Sequence, residues 1–239
     1  MATIPSSSGS HSQTLARGIR ILEILADARV PLTIAQLAER LEVHRSIAYR
    51  ILRTLEDHHL VARDASGRVH MGVGVAELAQ AVQPDLQTAA LPELTQLAGD
   101  LTMTAFLSVL ERADSVVLLS VEPRHQAATI VYRPGSRHPV HLGAPGIALQ
   151  SLVDDQNWSK LAPGVPKRQE VEQLSRLGYA VTRGEVIRGM TAVSSAVRLR
   201  RGGAAALSVV YVETELVESY VGDLVRAAAE RVERNLTTR

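Results

Sequence analysis

The 239-residue sequence contains no cysteine. That absence removes a disulfide framework, a thiolate nucleophile and any Cys-ligated metal site. Lysine is nearly missing too: of 26 basic residues only Lys160 and Lys167 are lysines, and the rest are arginines. Such a bias favours planar, bidentate contacts, although GC-rich codon usage produces the same composition. Net charge is +1, so a global basic excess cannot argue for a nucleic-acid partner and only the distribution of charge can. No run approaches the roughly 18 apolar residues of a membrane span. Residues 1–12 are Ser-rich and lack both a basic start and an apolar stretch, which argues against a signal peptide. A flexible arm over 1–12, no membrane association and a cytoplasmic location are therefore expected. The 8 histidines show no ligand spacing; His58 and His59 are adjacent on one helix and cannot face a single metal, so neither a metal nor a cofactor is expected. Trp158, the only tryptophan, reads as a packing residue under a loop.

What is present is ordinary globular composition, 46% hydrophobic and 21% charged, in a chain long enough for one domain of about 70 residues and one of about 150. Thr14 is placed as the N-cap of an amphipathic helix reaching Ala26, with Leu15, Ile19, Leu22 and Ala26 on its apolar face. Thr33 and Gln36 form a capping box ahead of a second helix striped by Ile34, Leu37, Ala38 and Leu41. After only Glu42 and Val43 comes a third helix, with Ile47, Ala48, Ile51, Leu52 and Leu55 inward. So tight a turn between helices predicts a helix-turn-helix. Strand-like segments 60–63 and 68–71 flank Asp64-Ala65-Ser66-Gly67, a hairpin turn, and three helices followed by a hairpin make a winged helix. Glu42 stands where such turns usually place Gly, so a positive φ there would store ~1 kcal/mol of strain.

A short helix over 74–81 leads into a linker broken at Pro84, and Leu91, Leu94, Leu97 and Leu101 open a longer helix. The expected organisation is a winged helix-turn-helix over 13–80, a linker over 81–90 and a second domain over 91–239. In the second domain, strands are predicted over 104–110, 116–121, 129–132, 179–182, 192–199 and 204–212, the last two joined by a turn at Arg201-Gly202-Gly203. Helices are predicted over 145–153, 168–177 with a stop at Gly178, and 216–236. Mostly antiparallel strands interspersed with helices give an α+β fold.

The outward face of the third helix gathers Arg45, Ser46, Tyr49, Arg50 and Arg53, and residues 43–55 hold three arginines and no acid. An arginine bonds both O6 and N7 of guanine in the major groove, while hydroxyls fix a helix against phosphates. Arg45, Ser46, Tyr49 and Arg50 are the expected base-reading residues, and Arg53 a phosphate contact. Arg63 and Arg68 flank the hairpin tip, where a wing meets the DNA backbone or minor groove. The alternative is a winged helix used for protein contacts, its arginines a solvated surface. In the second domain, His141 to Gly146 lead into a helix whose unpaired N–H groups and dipole suit the carboxylate of a small acid, with Gly143 and Gly146 allowing close approach. The plainer alternative is that these glycines shape a turn.

The first 80 residues resemble the IclR-type transcription regulators. The resemblance rests on Ala16-Arg17-Gly18-Ile19-Arg20-Ile21-Leu22, on Leu32-Thr33-Ile34-Ala35-Gln36-Leu37-Ala38, and above all on Arg45-Ser46-Ile47-Ala48-Tyr49-Arg50-Ile51-Leu52-Arg53-Thr54-Leu55. Farther on it rests on His141-Leu142-Gly143-Ala144-Pro145-Gly146, Gly178-Tyr179-Ala180-Val181, Gly189 to Val197 and Ala206-Leu207-Ser208-Val209. It implies a homodimer or tetramer on a near-palindromic double-stranded DNA operator, and a C-terminal GAF-like domain, an antiparallel sheet with flanking helices, holding a small-molecule effector that often bears a carboxylate. It also puts the effector loop at His141, Gly143, Ala144 and Gly146, with Phe106, Ser108, Leu119, Tyr132, Ala192 and Ser194 on strands around the cavity; each of these is also at home as plain core. The competing reading is an enzyme with a regulatory winged helix and a catalytic second domain. Against it stand the absence of a G-x-S-x-G elbow, a phosphate loop, a metal-ligand cluster and a carboxylate pair, and the bare Ser194-Ser195 pair in an apolar strand.

Overall fold

A computed structural model describes residues 12–28, 30–123, 132–200, 202–212 and 217–237. All of the arm expected over 1–12 except Ser12 lies outside the described residues, as does all of the strand expected over 129–132 except Tyr132. Contacts divide the chain into two units, the first ending at Val82 and the second starting at Gln83.

The first unit begins with α1 (Gln13–Ala28), which buries Gly18, Ile21, Ile24 and Leu25. The sequence reading chose the other face: Leu15 is 64% and Ile19 50% exposed. Aliphatic residues recur at helical spacing on both sides of this helix, so periodicity alone fits either stripe. Thr14 is likewise inside the first turn rather than at the cap, and Ser12 Oγ accepts a hydrogen bond from the Leu15 N–H at 3.4 Å. The capping box at α2 (Ile34–Arg40) forms as expected, with the Gln36 amide donating to Thr33 Oγ1 and Gln36 Oε1 accepting from the Thr33 amide. Glu42 has φ 55°, the left-handed conformation foreseen for the turn. Behind it α3 (Arg45–Asp57) buries Ala48, Ile51 and Leu52, whereas Ile47 turns outward. Strands β1 (Val61–Arg63) and β2 (Val69–Met71) form the antiparallel wing. Leu32 exchanges backbone hydrogen bonds with Val69 at 2.9 and 2.7 Å and so adds a third short rung. These elements close over Ile21, Leu25, Leu37, Leu52, Val61 and Val69, and α4 (Gly74–Gln80) ends the unit.

In the second unit α5 spans Pro84–Leu101, so most of the expected linker is helical from Pro84 on. It is followed by β3 (Thr104–Glu111), β4 (Asp114–Val121), β5 (Arg137–Pro139), α6 (Gly143–Ser151), α7 (Asp155–Leu161), α8 (Glu170–Leu177), β6 (Ala180–Arg183), β7 (Met190–Arg198), β8 (Ala204–Val212) and α9 (Glu218–Thr237). The six strands form one antiparallel sheet in the order β5-β4-β3-β8-β7-β6. Alternation along each strand sends one set of side chains to each face. Ala105, Leu107, Val193, Ala205, Leu207 and Val209 pack against α5 and α9, while Ala180, Ala204 and Ala206 pack against α6 and its neighbours α7 and α8. The fold is thus α+β, a sheet between two helical layers. Gly178 stops α8 at φ 81°, as expected. Trp158, 4% exposed, packs beneath the α6 layer and donates its indole N–H to the Val165 carbonyl at 2.7 Å, which fits the packing role read from the sequence. Two elements were not foreseen: β5, which turns only His138 inward, and α7, a polar helix anchored by Trp158.

Candidate nucleic-acid interface and effector pocket

His44 caps α3 by accepting the Ser46 N–H on Nδ1 at 3.3 Å, and the same nitrogen lies 2.8 Å from Ser46 Oγ. Ser46 is therefore held by the cap at the start of the helix. Arg45, Tyr49, Arg50 and Arg53 are all exposed on the outer face. Among the described residues none of the three arginines has an ion-pair partner. Three uncompensated guanidinium groups within nine residues, the first of them at the positive end of the helix, create a local field that the net charge of the chain conceals.

The wing arginines differ from each other. Arg63 hydrogen-bonds both oxygens of Glu56, the second at 3.2 Å, and its guanidinium carbon lies 5.7 Å from the Tyr49 ring centroid. The Glu56 hydrogen bond is the main reason the Arg63 pKa is raised, so Arg63 stays charged and the Glu56 carboxylate compensates it. Arg63 is thus corrected from a free wing contact to a clamp that ties the wing to α3 and steadies Tyr49. The acid responsible sits one residue beyond the acid-free stretch 43–55. Arg68 remains exposed beside a turn organised by Asp64, whose Oδ1 accepts from the Ser66 amide at 2.9 Å, the Ser66 hydroxyl at 2.7 Å and the Arg68 amide at 3.0 Å. The Ser66 hydroxyl foremost, then the amides, hold the Asp64 carboxyl below its usual range.

At the start of α6, Gly143 has φ 75°, as a strand-to-helix turn requires. The amides expected to take a ligand's carboxylate are already engaged. Gly143 N–H donates to Glu185 Oε2 at 2.9 Å, and Ala144 N–H donates to Thr182 Oγ1 at 2.9 Å. Glu185 is in turn gripped by Arg168, Nη1 to Oε2 at 2.5 Å and Nη2 to Oε1 at 3.0 Å, and Arg168 also bonds Glu170. Arg168 is the main reason the Glu185 carboxyl lies below the usual range; burial opposes the shift and the Gly143 amide reinforces it. The chain thus supplies its own carboxylate at its own helix terminus. Gly146 serves packing: a Cβ there would meet the Val140 carbonyl oxygen at 2.2 Å. His141 is exposed to solvent.

The sheet face beneath α6 brings together most of the other expected pocket residues. Phe106 stacks on Tyr132 with ring centroids 4.4 Å apart, and Val117, Val210 and Met190 pack against the pair. Ser194 Oγ donates to Ser208 Oγ at 2.7 Å, and Ala192 lies on the same strand face. Leu119 is a correction. It pairs with Leu107 across β3 and β4 and packs on the α5–α9 core, because the bulge at Leu107/Ser108 resets the alternation of β4. Among the described residues four buried polar side-chain atoms have no hydrogen-bond partner: Ser108 Oγ, Ser115 Oγ, Ser120 Oγ and His138 Nε2. Each unpaired buried group costs roughly 1–3 kcal/mol, so a cluster of them calls for an explanation. Burial lowers the His138 pKa and so favours the neutral ring. Ser195, by contrast, donates to the Gly178 carbonyl at 2.7 Å and is committed to structure.

Sequence reasoning missed Arg168, Thr182, Glu185, Ser115, Ser120, His138 and Ser208 as site residues. The usable signals were serines at inward positions of otherwise aliphatic strands and an acid in the short loop between Gly184 and Gly189.

Known proteins are similar to this chain in sequence and fold. Residues 14–65 match the family described as the IclR helix-turn-helix domain, and residues 78–234 the family described as bacterial transcriptional regulator IclR C-terminal. The probable transcriptional regulator SauR of Cupriavidus necator is 30% identical, over 93% of this chain and 97% of its own length. The HTH-type transcriptional repressor AllR of Escherichia coli is 25% identical, over 92% of this chain and 89% of its own. Among solved structures, an IclR homolog complexed with 4-hydroxybenzoate from Microbacterium hydrocarbonoxydans superposes with a TM-score of 0.78 at 24% identity, over 95% of this chain and 100% of that one.

Proposed function

The chain belongs to the IclR family of bacterial transcription regulators, and from that premise we propose that it reads operator DNA with Arg45, Ser46, Tyr49 and Arg50 and senses a small carboxylic acid beneath α6. The observation that carries the DNA half is the set of exposed, unpaired arginines on α3. Arg45 and Arg50 lie toward the helix start, where reach into the major groove is deepest, and Arg53 one turn later meets phosphate. Arg68 on the wing adds a backbone contact. The DNA-binding domain lies in the unit that ends at Val82, and the sensing domain in the unit that starts at Gln83 and includes α5. Each protomer of a homodimer or tetramer reads one half-site, with recognition helices about 34 Å, or a multiple of it, apart. Such a regulator works in the cytoplasm. The enzyme alternative is set aside, because relatives aligned over nearly the whole chain are named transcription regulators.

For the sensing half, an acid effector competes with Glu185 for the Gly143 amide and for Arg168. The solved relative bound to 4-hydroxybenzoate supports a carboxylate ligand in this fold. Exchange of one carboxylate for another costs little electrostatically, yet it frees the 184–189 loop and so couples ligand to conformation. A mobility-shift titration against the DNA upstream of its own gene tests the first half: retardation should weaken steeply between 50 and 200 mM salt, by about 10³-fold for six phosphate contacts. Salt-independent retardation would contradict an arginine-led interface.

A further inference from the structure

We propose that the sheet face formed by β3, β4 and β5 is a subsite for an uncharged hydroxyl group carried on a flat, apolar ligand, read by Ser108, Ser115 and His138. The proposal rests on the reading that this side of the sheet receives the effector. It adds a second pole to the site, distinct from the Glu185 position at the start of α6.

Ser108 Oγ, Ser115 Oγ and His138 Nε2 are unpartnered and neighbour one another on one face, Ser115 pairing with Leu110, two residues along β3 from Ser108; the fourth such atom, Ser120 Oγ, is on the same face but five residues along β4 from Ser115. Ser115 faces His138 directly across β4 and β5, Ser120 faces Phe106 across β4 and β3, and Ser108 lies two residues along β3 from Phe106 on the same face. Directly opposed residues bring their Cβ atoms within about 5.5 Å, so one small group between Ser115 and His138 is within reach of both. The opposite face, under α5 and α9, contributes none of the unpaired atoms named among the described residues. A sheet side made only to be core has no use for three hydroxyls and an imidazole without partners.

The chemistry of Ser108, Ser115 and His138 selects the ligand group. Serine hydroxyls donate and accept, and a neutral imidazole nitrogen does one or the other according to its tautomer, so together they match a group that also does both. A carboxylate here would be buried without a counter-charge, because the nearby Arg168 is bonded to Glu170 and Glu185 at the α6 terminus. The stacked Phe106–Tyr132 pair provides a flat apolar wall beside the hydroxyls, which favours a ring as the carrier. A phenol-type hydroxyl satisfies both conditions.

The test uses the full-length chain with phenol, benzoate and 4-hydroxybenzoate as probes, followed by calorimetry and thermal shift. Wild type is expected to bind 4-hydroxybenzoate about tenfold more tightly than benzoate, and phenol to raise Tm. Ser108→Ala and Ser115→Ala should shrink that preference below about threefold, and Ser115→Ala should leave benzoate affinity unchanged. Without ligand both variants should melt no lower than wild type, since no bond is lost. Equal affinity for benzoate and 4-hydroxybenzoate would overturn the subsite while leaving the carboxylate reading intact. Stabilisation by phenol with none by benzoate would do the reverse. A lower ligand-free Tm in the serine variants would mean that the hydroxyls are bonded within the fold, through water, and would overturn the proposal; so would the absence of any response to all three probes.

Discussion

The outer face of α3 and the sheet face beneath α6 solve opposite problems. On α3 the charges are exposed and left unpaired, so they are free for a partner; beneath α6 the charges are paired internally, so a ligand must displace what is already there. Arg45, Arg50 and Arg53 belong to the first kind, and the Arg168–Glu185 pair closing on Gly143 to the second. An open cationic surface suits rapid, salt-dependent association with a polyanion. A self-satisfied site suits a switch, because binding then changes the structure that held the substitute in place.

This contrast can be broken at several points. The largest effect is expected at Arg50: Arg50→Ala should weaken operator binding by about 1–3 kcal/mol, measured by fluorescence anisotropy, while Tm stays within about 1 °C. If Tm falls with affinity, the side chain supports the fold instead. Next, Glu185→Gln should strengthen binding of small acids severalfold and cost about 1 kcal/mol of stability at neutral pH through loss of a charged helix-terminal partner. The sign of its pH dependence follows from the depressed Glu185 pKa. The contribution is complete above the unfolded value near ~4.3 and is lost as pH falls below it, so the wild-type and variant melting temperatures should converge in acid. A gap that persists at pH 3 would assign the effect to packing. A double-mutant cycle over Glu56 and Arg63 should give a coupling of about 1 kcal/mol in stability and a reduced DNA affinity in either single variant. Additive single effects would remove the clamp from the account. The smallest effect is at Glu42, where Glu42→Gly relieves a left-handed residue and should stabilise the protein by roughly 0.5–1 kcal/mol in thermal melts.

The two regions were also unequally legible in the sequence. Capping residues, the tight turn with its left-handed Glu42, and the arginine face all fall between Thr33 and Leu55, where helical periodicity links neighbours directly. The sensing face is assembled across the sheet: Gly143 meets Glu185 from 42 residues away, and Ala144 meets Thr182 from 38. No local pattern announces such pairs. Leu119 was misassigned for a related reason, since a bulge in β4, visible only in its pairing with β3, decides which face the residue joins. The misplaced face of α1 has a different cause. Its two aliphatic stripes are equally periodic, and only contact with Leu37, Leu52 and Val69 selects between them.

The central claim, that α3 reads base sequence and not only phosphate charge, is tested most directly by competition between the chain's own upstream DNA and a scrambled duplex of equal length, compared for wild type, Arg50→Ala and Arg53→Ala. The account predicts that Arg50→Ala collapses the ratio of specific to non-specific affinity, whereas Arg53→Ala weakens both about equally and lowers the salt slope by about 1. A ratio left unchanged by Arg50→Ala would contradict it.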